Sequence, residues 1–412
     1  MEPKPLLRAL FDTAVTSATP ENCLSSWLPA KPRGRVIVVG AGKAAASMAK
    51  ELEKQWGGPL EGNVIVPYRH GDDCRWIHVI EASHPVPDKT GLSAAAKLLD
   101  SVSNLCANDT VICLISGGGS ALMCLPIDGI SLIEKQAITS SLLNSGAAIH
   151  EINCVRKKLS SIKGGKLAAA CMPASVITLI ISDVPGNDIS MVASGPTITD
   201  TSTAREALEI LDRYEIEVTR DVRNIIESSQ PILIADGDIR VLATSDDALL
   251  ATSALATKLN VTPYSLGDLH GDAKTLGKEH AELALQIISG KGPIVAPCVV
   301  LSGGETTVKV EGSGRGGRNG EYALSLALAL KSHPAVHAIA CDTDGIDGSG
   351  NNAGCYISPN TLEKAKIAGL DAEAMLNQNN SYELFEATHE LIITGPTRTN
   401  VNDFRAIFID SD

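Results

Sequence analysis

Aromatic side chains are scarce in this chain, at 3% of 412 residues, although apolar residues reach 44%. A core made mainly of Ala, Val, Ile and Leu suits helices packed on a parallel sheet. Positive charge is also short. A formal net charge of −13 excludes general nucleic-acid binding, which needs a basic face to neutralise phosphates. No uninterrupted apolar stretch approaches the roughly 20 residues that span a bilayer, and Met1-Glu2-Pro3-Lys4 lacks the charged-then-apolar pattern of a secretory signal. Close Cys-x-x-Cys pairs are missing as well. Ten cysteines are scattered, and Cys113, Cys171, Cys298 and Cys341 lie in apolar runs, which argues against a zinc site or disulfide framework and fits small buried hydrophobes in a reducing compartment. A cytoplasmic protein with no membrane and no nucleic-acid partner is expected. A homo-oligomer is left open.

Several catalytic signatures are absent too. There is no Gly-x-x-x-x-Gly-Lys-Ser/Thr loop, no protein-kinase motif set and no Gly-x-Ser-x-Gly elbow. His84, in Ser-His-Pro-Val-Pro-Asp, is therefore read as lining a site or packing a rigid loop rather than as part of a hydrolytic triad.

What the chain does have is five β-branched and aliphatic runs that each end in a glycine-bearing turn. Val36 to Val39 runs into Gly40-Ala41-Gly42-Lys43, and Val111 to Ile115 into Ser116-Gly117-Gly118-Gly119-Ser120. Val176 to Ile181 precedes Ser182-Asp183-Val184-Pro185-Gly186, Val299 to Leu301 precedes Ser302-Gly303-Gly304-Glu305, and Val336 to Ala340 precedes Asp342-Thr343-Asp344-Gly345. Runs without polar alternation read as strands buried on both faces, and in open α/β sheets ligands bind at the carboxyl ends of such strands. Cations stand beside these and other glycines: Lys43; Arg156, Lys157 and Lys158; Lys163 and Lys166 around Gly164-Gly165; Arg315 and Arg318 around Gly316-Gly317. A net-acidic chain that gathers cations at glycines points to a small anion, and hence to an enzyme for a phosphorylated or nucleotide ligand.

The turns differ in what they allow. Gly40-Ala41-Gly42-Lys43-Ala44-Ala45 matches the dinucleotide pattern Gly-x-Gly-x-x-Gly/Ala, but Val64-Ile65-Val66-Pro67-Tyr68-Arg69 lacks the acid that would hold a ribose. Ser116 to Ser120 is the stronger anion cradle, with three glycines for a nest of N–H groups and two hydroxyls. Arg315 and Arg318, between glycines, suit bidentate bonds to phosphate or carboxylate. Asp342, Asp344 and Asp347 crowd one turn, which reads either as a magnesium site or as a calcium loop; the EF-hand spacing fails. Cations together with the carboxylates Asp183, Glu305 and Asp344 are the mixture that phosphoryl transfer needs.

At this length two domains are expected. Alternating strands and helices imply largely parallel sheets in both. Helices are expected over about 6–18, 91–102, 131–149 and 155–170 in the first half, and over 246–259, 271–289 and 318–331 in the second. Turn-forming residues near 230–240 place the junction, dividing the chain into 1–235 and 236–412.

Read together, these segments with Ser83-His84-Pro85-Val86-Pro87-Asp88, Lys163-Gly164-Gly165, Ala193-Ser194-Gly195-Pro196-Thr197, Gly316-Gly317-Arg318-Asn319 and Thr394-Gly395-Pro396-Thr397-x-Thr399-Asn400-Val401-x-Asp403 resemble the class II glycerate kinases over most of the chain and in order. The resemblance implies two three-layer α/β/α domains, the first Rossmann-like, with the active site in the interdomain cleft. It implies ATP- and Mg²⁺-dependent phosphorylation of D-glycerate to 2-phosphoglycerate. By that similarity Lys43, Arg318 and Asp344 are catalytic, and Asp183, Glu305 and Asp344 hold the metal. Substrate or nucleotide would meet Gly40, Gly42, Ser116, Gly117, Gly118, Gly119, Ser120, Arg156, Lys163, Gly303, Gly304 and Asn319. Gly320 and Asn351-Asn352 depart from the usual pattern. Because some members are described as hydroxypyruvate reductases, an NAD(P)H-dependent reductase is the alternative; a metabolite-binding regulator is a third reading. Lys43 and Arg318, in glycine-flanked turns, are both expected to matter more for turnover than for folding.

Overall fold

A computed structural model describes residues 2–184, 186, 188–232, 234 and 237–411. It divides into two compact units, Cys23–Leu242 and a second formed by Met1–Asn22 with Ala243–Asp412.

The first unit is built on β1 (Val36–Ala41), β2 (Glu61–Pro67), β3 (His78–Ala82), β4 (Thr110–Ile115), β5 (Ser175–Ile181) and β6 (Asp238–Ala243), in the order β3-β2-β1-β4-β5-β6. The pairs among β1 to β5 are parallel. On β1 and β4 alternate residues point to opposite faces. Ile37, Val39, Val111 and Cys113 join one core cluster, while Val38, Ile112 and Leu114 are equally buried. Both faces are therefore covered, as the unbroken apolar runs require. A second cluster, away from the sheet, packs the helices Leu132–Asn144, Ile149–Lys158, Ala204–Arg213 and Arg220–Glu227 through Ile138, Leu142, Ile152, Val155, Ile210 and Ile226.

The second unit departs from the expectation of a largely parallel sheet. Its strands are β7 (Thr262–Asp268), β9 (Cys298–Gly303), β11 (Val336–Asp342), β12 (Gly354–Ile357), β13 (Leu391–Ile392) and β14 (Asp403–Ile409), with a small pair formed by β8 (Gly271–Asp272) and β10 (Thr306–Thr307). The order is β13-β12-β11-β14-β9-β7. The last strand of the chain, β14, enters the middle of the sheet antiparallel to both neighbours. β12 runs antiparallel to β11 and β13, leaving only β7 and β9 parallel. The sheet is mixed because its central strand comes from the carboxyl end of the chain rather than from a helical crossover.

The domain boundary also moves. β6 completes the first sheet, so the division falls near 242 rather than at 235/236; Ala235 and Asp236 themselves lie outside the described residues, as does Pro185 of the third glycine turn. At the other end the helix Pro3–Ser17 belongs to the second unit. Its buried stripe Leu7, Leu10, Phe11 and Ala14 covers β14, with the Phe11 and Phe404 rings 6.1 Å apart. The helices Ala273–Ile288 and Arg318–Leu330 pack in the cluster with Ile407 and Ile409. Without that amino-terminal helix, one face of β14 would be left wet.

Candidate functional site

Each unit has its own concentration of charge. In the first, the turns after β1 and β4 are bonded to one another. Lys43 N donates to Gly117 O at 2.8 Å, Ala44 N to Ser116 Oγ at 2.9 Å, and Gly42 N to Ile65 O at 3.1 Å. Gly42 is required by this approach: it has φ +138°, and a Cβ there would stand 2.2 Å from Ser116 Oγ. The Gly-x-Gly turn therefore spends its amides on its neighbour. Ser116, fully buried, serves as an internal cap. Gly40 sits within β1, paired with Val64 and Leu114. Gly119 N donates to Ser116 O, while no bond to the Gly117 and Gly118 amides occurs among the described residues. Ser120 Oγ meets Ser194 Oγ at 2.8 Å, and Ser194 Oγ donates to Asn153 Oδ1 at 2.9 Å. Ala193 and Ser194 are both held at positive φ, +51° and +62°, a strained pair of non-glycine residues. Gly164 N to Ser194 O at 3.1 Å and Lys163 Nζ to Ala193 O at 3.4 Å hold them there.

Beside this turn lies a cavity of ≈ 600 Å³ lined by residues that include His84, Gly118, Ser120, Lys135, Arg156 and Lys163. Lys135 is 3% and Lys163 1% exposed. Lys135 Nζ has no hydrogen-bond partner. No carboxylate is among the lining residues. Burial and the neighbouring Lys135 push Lys163 down to about 7; burial pushes Lys135 down to about 8, with Lys166 and Arg156 adding to it and Cys124 opposing. Arg156 is also pushed down, by its burial.

The helix Leu132–Asn144 brings Lys135 there. It opens with a capping box, Ser131 Oγ accepting from Glu134 N at 3.2 Å and Glu134 Oε2 from Ser131 N at 2.9 Å. Lys135, Ile138 and Leu142 are its buried residues, one helical face on which the first member is a cation. Sequence reading missed Lys135; the available signal was a lysine at an apolar position of a helical repeat.

The other cations of the basic segments are structural. Lys158 Nζ and Lys157 Nζ bond Asp200 at 2.8 and 3.4 Å. Lys166 Nζ donates to the carbonyls of Lys157 and Ser160 at the end of the helix Ile149–Lys158. The expected single helix over 155–170 is interrupted, with Lys166–Cys171 a separate helix. Asp183, just past β5, is partly buried and belongs to this unit.

In the second unit Arg318 is the hub. Its Nη1 bonds Glu305 at 2.7 Å, Nη2 Asp342 at 2.7 Å and Nε Asp403 at 2.8 Å. Burial opposes its charge, but Asp403, Asp342 and Glu305 outweigh that and hold the guanidinium well above its ordinary range. Asp403 also bonds Asn319 Nδ2 at 2.7 Å and Arg405 Nη2 at 2.6 Å. Arg405 Nη1 in turn donates to Gly303 O at 2.7 Å, and Gly304 O accepts from Asp403 N. Asn319 is fully buried and acts within this network.

The three clustered aspartates have separate tasks. Asp342 Oδ1 accepts from Asp344 N at 3.0 Å, and Asp344 Oδ1 accepts from Ile346 N at 2.8 Å. Asp347 takes the first amides of the helix Arg318–Leu330, Asn319 N at 3.0 Å and Gly320 N at 2.9 Å. Gly317 makes room for it, since a Cβ there would lie 2.4 Å from Asp347 Cγ. Burial pushes Asp347 up to about 6 despite those bonds. This glycine-rich segment thus holds the protein's own carboxylate at its helix start, and the three bonds of Arg318 give that residue a part in the framework as well. Asp342 and Asp403 were not singled out as its partners; their convergence depends on β14 lying next to β11.

Among the described residues no group of three or more His, Cys, Asp or Glu side chains is arranged to hold a metal. Glu305 and Asp344 belong to the second unit and Asp183 to the first. Magnesium that arrives on phosphates needs only one or two carboxylates, a number present within the second unit as Glu305 and Asp344.

A parallel α/β unit whose cavity is lined by cations with no carboxylate among the described lining residues, together with a mixed α/β unit carrying an arginine–carboxylate hub, defines a two-unit α/β enzyme that handles small anions. Family models match residues 6–227 (DUF4147, a domain of unknown function) and 298–403 (the MOFRL family). A D-glycerate 2-kinase of Thermotoga maritima is 37% identical over 97% of this chain and 97% of that protein, and human glycerate kinase is 32% identical over 98% and 92%. The crystal structure of a glycerate kinase from Thermotoga maritima superimposes with a TM-score of 0.90 at 36% identity, covering 98% of this chain and 99% of that one. An Agrobacterium vitis relative, 46% identical over 98% and 94%, carries the provisional name hydroxypyruvate reductase. The chain belongs to the glycerate kinase family.

Proposed function

We propose that this protein transfers the γ-phosphoryl group of ATP to the 2-hydroxyl of D-glycerate. The observation that carries the reading is the pairing of full-length similarity to proteins named glycerate kinase with a cavity whose buried cations have no carboxylate partner. Lys43, Arg318 and Asp344 are proposed as catalytic: the cations on charge that spreads over the transferring group, the aspartate to receive or orient the hydroxyl proton. The three bonds use three of the five N–H donors of Arg318, so a substrate oxygen can take one of the other two or displace a partner. Glu305, with half its side chain exposed, is the partner least costly to release. Asp183, Glu305 and Asp344 are the carboxylates available to magnesium, which would neutralise phosphate charge when bound. The ten cysteines are all free thiols, which supports the cytoplasmic assignment. Among the described residues no helix is long and apolar enough to cross a membrane.

The name carried by the Agrobacterium vitis relative favours the reductase as a second reading. The geometry of the turn after β1 weighs against it. A dinucleotide's pyrophosphate needs the amides at that helix start, and Lys43 N and Ala44 N are taken by Gly117 O and Ser116 Oγ. β2 ends at Pro67 with no carboxylate after it, as Tyr68 and Arg69 follow. Purified protein should convert D-glycerate with MgATP to 2-phosphoglycerate, identified by ³¹P NMR. Oxidation of NADH or NADPH by hydroxypyruvate, with no ATP consumed on glycerate, would overturn the assignment.

A further inference from the structure

The cavity of the first unit holds more charge and more room than a three-carbon acid calls for. Its volume of ≈ 600 Å³ falls in the range of about 300–1,000 Å³ typical of sites that enclose a drug-sized ligand. Lys135, Arg156 and Lys163 line it without a carboxylate, and burying such a cation is costly unless something pairs with it. Lys135 makes the case sharply. It is the fourth residue of its helix, near the positive end of the helix dipole where a cation is disfavoured, and its buried Nζ has no partner. The outer lining is of opposite character. Val86, Ile133 and Leu143 are all exposed apolar side chains, Ile133 at 76%. One cavity thus joins a cationic floor to apolar walls.

We propose that this cavity is the nucleoside triphosphate subsite, with the polyphosphate on Lys135, Arg156 and Lys163 and the base against Val86, Ile133 and Leu143. The proposal rests on the kinase reading for its ligand class and adds Lys135 as a nucleotide-binding residue. The acceptor acid then binds elsewhere, which separates the two substrates experimentally.

Titration calorimetry with adenylyl imidodiphosphate and magnesium, and separately with tripolyphosphate, tests this on the full chain. Lys135→Met should weaken both ligands about 10–100-fold, the worth of a charge-assisted hydrogen bond, and raise the KM for ATP alike while the KM for D-glycerate stays within about twofold. Lys135→Arg should restore much of the affinity. Ile133→Asp, at an exposed position that folding does not depend on, should weaken the nucleotide analogue and leave tripolyphosphate nearly as before. Unchanged nucleotide affinity in Lys135→Met, in a preparation whose wild type phosphorylates glycerate, overturns the proposal and leaves the kinase reading standing. So does a rise confined to the KM for glycerate. Lys135-dependent nucleotide binding in a protein that phosphorylates no hydroxy acid upholds the subsite and removes the kinase reading instead.

Discussion

The two units keep their cations in opposite ways. In the first, Lys135, Arg156 and Lys163 line a cavity with no carboxylate among them, and both lysines are pushed towards neutrality. In the second, Arg318 is bonded to three carboxylates, and its charge is reinforced. A buried cation without a counter-charge is unfinished until an anion arrives; a cation already paired is part of the framework. On the proposed function, the same residue class serves recognition in one unit and architecture, with catalysis added, in the other. Glycine divides the same way. Gly117 and Gly118 leave amides unbonded among the described residues, whereas Gly317 admits Asp347 to a helix start.

Removing the paired cation should have the largest effect. Arg318→Ala takes from the buried Asp342 and Asp403 the cation they share, and leaves Arg405 on Asp403. Breaking a buried pair from one side costs about 3–5 kcal/mol. Hydrogen exchange should show lost protection in the helix Arg318–Leu330 and in β14, along with loss of activity. Native protection with activity alone abolished would mean that the network is not structural.

Lys43→Ala should behave differently. Its backbone amide bonds the neighbouring turn at Gly117 O, a bond the substitution keeps. Turnover should fall by roughly 10²–10³, the scale for losing one preorganised donor to transition-state charge, and stability should fall less than in Arg318→Ala. A large drop in stability with kcat preserved would assign Lys43 to the framework instead.

Asp347→Asn probes the framework side through pH. Its folded-state value of about 6 lies above the ordinary 3.8, so the folded protein holds that proton more tightly than the unfolded chain. The stabilisation is full below about pH 4 and is lost as pH rises to about 6, opposite to a salt-bridged carboxylate. The shift corresponds to an amplitude on the order of 2–3 kcal/mol. The variant should flatten this part of the stability profile, read as the difference from wild type in exchange of the helix Arg318–Leu330. Parallel profiles would show that Asp347 does not titrate there.

Local pattern carried the first unit well. Strands buried on both faces read directly from unbroken runs at 36–39 and 111–115; Gly42, Gly117 and Gly118 mark the turns after them, while Gly40 stays within β1. The second unit was less legible because its order is not local. Nothing in the run at 404–409 says that it inserts between β9 and β11, so a parallel sheet was inferred where a mixed one forms. The helix over 6–18 reads correctly as a helix, but which sheet needs its apolar stripe is a long-range matter. Among site residues, spacing identified cations by their glycine neighbours. That selected Lys163, and the basic run Arg156-Lys157-Lys158 selected Arg156; Lys135 belongs to neither pattern and is distinguished only by occupying an apolar place on its helix.

The cavity's own pH response offers the finest discrimination between the two kinds of cation. In the free protein Lys163 and Lys135 lose their protons near about 7 and about 8, with Arg156, Lys166 and Cys124 as the charged or titratable neighbours that act on them. A polyphosphate stabilises the charged forms and raises both values, so binding above these values must take up protons. From pH 7 to pH 8 the charged fraction falls about fivefold for a group titrating at 7 and about twofold for one titrating at 8, so affinity should drop about tenfold. Calorimetry at pH 8 in buffers of different ionisation enthalpy should register net proton uptake by the protein on binding adenylyl imidodiphosphate, and Lys163→Met should abolish most of it. Arg318, held charged by its carboxylates, contributes nothing to this profile. A nucleotide affinity that is flat from pH 7 to pH 8, with no proton uptake, would mean that the lysines of the first unit are as fully charged without ligand as the arginine of the second.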